Sequence, residues 1–86
     1  MVAITYYVAN PTKADITSQC NEMKARFIDS DITTNLRISF FDDRANTPDY
    51  SGGVDIPESS QPYEIANYYY NANNSQTELL FLKPIP

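Results

Sequence analysis

The sequence predicts an α+β fold: a mixed sheet of three or four strands with one main helix packed on one face. Three observations predict it. Val2, Ile4, Tyr6 and Val8 alternate with Ala3, Thr5, Tyr7 and Ala9, which is the period of a strand with one strongly apolar face. Ile16, Cys20, Met23 and Phe27 recur at intervals of four, three and four, which marks one face of a helix. Leu36, Ile38 and Phe40 alternate with Arg37, Ser39 and Phe41, giving a second strand. At 86 residues the chain has room for one domain, residues 1–86, burying about 60–65% of its unfolded surface.

The first strand ends at Asn10-Pro11-Thr12. Thr12 and Asp15 stand at the spacing of a helix cap, in which side-chain oxygens satisfy the first free amides. An alternative start has Asn10 as the cap and Pro11 as the first helical residue. The helix runs to about Asp29, with Glu22 and Arg26 four apart in the favourable order. Ser30-Asp31 is a short connector to the second strand, from about Thr33 to Phe41. Strand, helix and strand joined by tight links make a βαβ unit, with a right-handed crossover if the strands pair in parallel.

Residues 42–62 contain Gly52 and Gly53, the only glycines, with Pro48, Pro57 and Pro62. They hold no sustained period and read as a long loop with room for a short helical turn. A loop of this length is uncommon in so small a domain unless it is functional or disordered. Residues 63–70 admit two readings. The Tyr68-Tyr69-Tyr70 run and the turn formers at 71–75 favour a hairpin with the last strand. Pro62 and the spacing of Ile65 and Tyr69 allow a helix. The element order is therefore β-α-β-long loop-β-β, or β-α-β-loop-α-β. Residues 77–83 form the last strand, where Leu79, Leu80, Phe81 and Leu82 put apolar groups on both faces, as in a central strand or an interface. The expected core is Ile4, Tyr6, Val8, Ile16, Cys20, Met23, Phe27, Leu36, Ile38, Phe40, Leu79 and Phe81.

Composition narrows the chemistry. The chain has no His, so it holds no Ser–His or Cys–His pair and no His-ligated metal. Its one cysteine allows neither an intrachain disulfide nor a Cys-rich zinc cluster. No Gly-rich phosphate loop, nucleotide fingerprint or basic aromatic patch is present. Asp42, Asp43, Asn46 and Asp49 are oxygen donors, but their spacing does not match a calcium loop. Acid–base catalysis by paired carboxylates needs a formed cleft and one raised pKa. The sequence thus predicts no enzyme, no cofactor and no metal. Cys20 lies on the helix seam and reads as a packing residue.

The net charge of −5 and the pI near 4.3 oppose direct binding to nucleic acid or anionic membrane. The charge is confined to one segment. Residues 1–41 and residues 65–86 each sum to zero, whereas residues 42–64 hold Asp42, Asp43, Asp49, Asp55, Glu58 and Glu64 against Arg44 alone. Asp42, Asp43, Asp49, Tyr50, Asp55, Glu58, Tyr63 and Glu64 are the candidate contacts to a protein partner with a basic surface, the tyrosines adding contact area at low entropic cost. The expected function is that of a small acidic binding module, an inhibitor or regulator that occupies a basic, even nucleic-acid-binding, surface. By size and charge the comparison is with phage counter-defence and antitoxin or immunity proteins. The alternative is a structural or assembly subunit, with Tyr7, Tyr68, Tyr70, Leu80 and Leu82 as the sheet-face interface of a homodimer. A small enzyme is a distant third reading. No basic segment precedes an apolar one at the start, so the expected location is the cytoplasm, or the host-cell cytoplasm if the chain is viral.

Overall fold

The computed structural model describes residues 2–29, 34–48 and 56–86. Strand β1 (Val2–Tyr7) is followed by helix α1 (Lys13–Asp29), then β2 (Leu36–Phe41), β3 (Glu64–Asn71) and β4 (Gln76–Phe81). The four strands form one sheet in the order β1-β2-β3-β4. β1 and β2 are parallel, while β2–β3 and β3–β4 are antiparallel. The α+β fold and its β-α-β-loop-β-β order are those expected, and residues 63–70 take the hairpin reading. The Tyr68-Tyr69-Tyr70 run can bury alternate rings on two faces, which suits a strand better than a helix. Of the two readings of the last strand, the central one is excluded, because β4 lies at the edge of the sheet.

Local chemistry accounts for the element ends. Thr12 caps α1, its hydroxyl oxygen accepting the Asp15 amide at 3.1 Å while its carbonyl accepts Ile16 N–H. The amide of Lys13 donates to the Pro86 carbonyl at 2.6 Å, so the C-terminal residues satisfy another first-turn donor. Arg26 pairs with Glu22 at 2.6 Å. At the β3–β4 turn, Asn71 Oδ1 accepts from Asn73 N–H and Asn74 Oδ1 from Gln76 N–H, with Ser75 in the left-handed region at φ 58°. These are the local bonds through which Asn favours turns. Asn35 ties the other end of the sheet, its Nδ2 donating to the Tyr69 hydroxyl and its Oδ1 accepting from Ala72 N–H.

The helix packs on the face built from Leu36, Ile38 and Phe40. Ile16, Cys20 and Phe27 from α1 and Ala66, Tyr68 and Tyr70 from β3 complete its buried cluster. Val2, Ile4, Tyr6, Val8, Met23, Leu79 and Phe81 pack around it, so every residue of the expected core lies in it or against it. Tyr6 stacks on Phe40 at 6.0 Å, and Phe27 meets Tyr70 edge to face at 6.3 Å.

Candidate functional site

The face of the sheet opposite the helix carries Thr5, Tyr7, Arg37, Ser39, Phe41 and Asn67, by strand alternation and register. Ser39 and Phe41 are fully buried there. The described parts of the acidic segment contact this face. The Thr5 hydroxyl donates to the Pro48 carbonyl at 2.7 Å. The Arg44 guanidinium sits 4.9 Å from the centre of the Tyr7 ring. Short 3-10 turns at Arg44–Asn46 and Gln61–Tyr63 fold the segment at its two ends. The Asp42 amide donates to the Tyr63 carbonyl at 3.1 Å, joining those ends.

A β-bulge directs one acid to this face. Between Phe40 and Phe41 the register with β3 slips, so that Phe40 faces Ala66 and Phe41 faces Glu64. The extra residue, Ile65, is drawn into the core. Strict alternation would place Glu64 with Ala66 on the helix side. The bulge turns it to the other face, as an inserted residue does. There Glu64 Oε2 accepts from Asn67 Nδ2 at 3.2 Å, and the same amide group approaches Ser39 Oγ at 3.5 Å. Arg37, Ile56, Gln61, Glu64 and Asn67 line a depression of about 470 Å³.

The predicted partner contacts divide into three groups. Asp42 is exposed but pairs with Lys83 at 3.3 Å. Asp43 caps its 3-10 turn, accepting the Asn46 amide, and Tyr63 lies under Lys83 Nζ at 5.9 Å. Asp42, Asp43, Tyr63 and Glu64 therefore have structural partners. Glu58 is exposed beside the Pro57–Ser60 turn. Asp49, Tyr50 and Asp55 lie outside the described residues.

The predicted sheet-face interface is not one surface. Tyr68 and Tyr70 point into the helix-face core, 4% and 7% exposed, because they pair with Ile38 and Leu36. Tyr7 and Leu80 belong to the other face and to opposite edges of the sheet, with Tyr7 under Arg44. Leu80 and Leu82 alone of the five are exposed large apolar groups, at 52% and 51%. Phe41 and Ile65, also fully buried, sit at the bulge, where the strand alternation breaks.

Burial pushes the Cys20 thiol up to about 11, away from the thiolate form. Among the described residues no group of three His, Cys, Asp or Glu side chains could hold a metal ion, and no helix is long and apolar enough to cross a membrane. A second depression, of about 380 Å³, lies where α1 meets the end of β1 and is lined by Tyr6, Val8, Asp15, Ile16, Gln19 and Phe40 among others. Compared with protein-family models, curated proteins and solved structures, the chain matches none.

Proposed function

We propose that the protein is a non-enzymatic binding module that docks the acidic segment 42–64 onto a basic surface of a partner protein, as an inhibitor or regulator. The observation that carries this reading is the placement of charge. The net −5 lies in one segment, whose first described end is fastened to β1 through Thr5–Pro48 and Arg44–Tyr7 and is joined to its last by the Asp42–Tyr63 bond. Anchored ends shorten the ordering cost of binding, and concentrated like charge steers association with a partner of opposite sign. Such a partner includes a protein that binds nucleic acid, whose basic groove the carboxylates would fill in place of phosphates.

The test is affinity capture from the native host, identification of the bound protein, and titration of the complex with salt. The triple variant Asp49→Asn, Asp55→Asn, Glu58→Gln leaves the Asp42–Lys83 pair and the Asp43 cap in place. The expected outcome is a salt-sensitive complex that this variant weakens by at least tenfold. A complex indifferent to both salt and the three substitutions rejects the reading.

A further inference from the structure

We propose that two copies of this chain join edge to edge through β4, extending the sheet across a two-fold axis to eight strands. β4 is the last strand in the sheet order. Leu82 N–H donates inward to the Ile65 carbonyl at 2.8 Å. Antiparallel alternation then turns the backbone groups of Glu78 and Leu80 toward β3 and those of Thr77, Leu79 and Phe81 outward. An outward row of N–H and C=O groups is a template for another strand, and natural edges are usually blunted by Lys, Pro or a bulge. Here the edge reads Leu79-Leu80-Phe81-Leu82, and Lys83 and Pro84 come only after it ends. Leu80 and Leu82 are both about half exposed.

Charge selects a second copy as the occupant and an antiparallel approach as its direction. Residues 65–86 carry only Glu78 and Lys83, so two such edges meet without net repulsion although each chain is acidic. Antiparallel pairing sets the Glu78 end of one strand beside the Lys83 end of the other, whereas parallel pairing would set like beside like. A two-fold axis perpendicular to the sheet must also match faces. Pairing Leu79 with Phe81 of the second copy, in both directions, satisfies this and uses the outward groups of both residues. It brings the two Leu80 side chains opposite each other in a non-hydrogen-bonded pair, where side chains are closest. Leu79 and Phe81, packed at the rim of the helix-face core, then continue that core across the seam. The contact is isologous and closes on itself.

Sedimentation equilibrium of the full chain gives the first reading. The expected mass is twice 9.8 kDa and is insensitive to salt, and Leu80→Lys returns it to the monomer with an unchanged circular dichroism spectrum. A monomer across the concentration range overturns the proposal, as does a dimer that persists in Leu80→Lys or a mass that grows beyond the dimer. Cysteine cross-linking tests the register independently. In a Cys20→Ala background, Leu80→Cys forms a disulfide-linked dimer on mild oxidation. Glu78→Cys does not, since its two copies stand roughly 14 Å apart along the seam. Cross-linking at residue 78 without cross-linking at residue 80 overturns the pairing. Either failure leaves the acidic-surface reading intact, because the two surfaces share no residue.

Discussion

The two faces of the sheet are covered in different ways. On one, helix α1 lays Ile16, Cys20 and Phe27 against Leu36, Ile38, Phe40 and the buried tyrosines, and the contact is almost wholly apolar. On the other, the acidic segment reaches Thr5 by a hydrogen bond and Tyr7 by a cation over its ring, and Asn67 links Glu64 to Ser39 through its amide. Apolar burial is non-directional and large per residue. Hydrogen bonds exchange with water and contribute about 1 kcal/mol each. The helix face is therefore expected to hold the fold together, while the second face fixes the position of a charged segment at small energetic gain. The proposed binding segment would benefit from that division, because its sequence could vary without loss of the core.

Phe40 and Phe41 are adjacent, both fully buried, and on opposite faces. They offer the largest break in the comparison. Phe40→Ala removes the ring that Tyr6 stacks on and opens the main core, so a loss of about 3–5 kcal/mol is expected in urea unfolding. Phe41→Ala empties a site outside that cluster and is expected at the lower end of that range or below it. Equal losses would show that the segment packs on the second face as firmly as the helix does on the first.

Alkaline pH gives the next largest effect and acts on the helix face through Cys20 and Tyr68. Cys20 holds its proton to about pH 11 in the folded chain, against an ordinary value of 9.0. The unfolded chain gives up that proton first as pH rises. The contribution is thus intact below pH 9 and is lost as pH rises to about 11, amounting to roughly 2–3 kcal/mol. Tyr68 is shifted upward as well, by burial first and then by its neighbours Cys20 and Tyr70, and it adds to the loss in the same direction. Thermal melts of the wild type against Cys20→Ala check this. The variant starts lower, from its lost packing, but falls less steeply between pH 9 and 11.

The same contrast explains what was legible in the sequence. The helix face was readable because its residues obey two simple periods, four-three-four along α1 and two along the strands. The second face was not, since the buried Ser39 and the half-buried Asn67 and Glu64 carry no hydrophobic signal. The bulge at Ile65 shifts the period by one residue, so no alternation rule places both Glu64 and Ala66 correctly. The tyrosine run shows the same limit. Alternation required Tyr68 and Tyr70 to share a face, but only the register to Ile38 and Leu36 decided which one. The confinement of charge to 42–64 was fully legible, whereas the use of Asp42, Asp43 and Glu64 in pairs and caps depends on contacts distant in sequence.

Tyr68 and Tyr69 give the smallest and sharpest test, because neighbours on one strand should respond with opposite signs. The Tyr68 hydroxyl is buried in the helix-face core and has no hydrogen-bond partner among the described residues. Its desolvation is uncompensated, so Tyr68→Phe keeps the ring packing and removes the cost, and stability is expected to rise by about 1 kcal/mol. The Tyr69 hydroxyl accepts from Asn35 Nδ2 at 2.7 Å, and Asn35 in turn holds the Ala72 amide. Tyr69→Phe takes the acceptor from Asn35 Nδ2, and a loss of about 1 kcal/mol is expected. Chemical unfolding of the two variants side by side cancels differences in ring burial between Tyr and Phe. A loss in both would mean that the Tyr68 hydroxyl is bonded in solution, and the helix face would then be less purely apolar than its packing indicates.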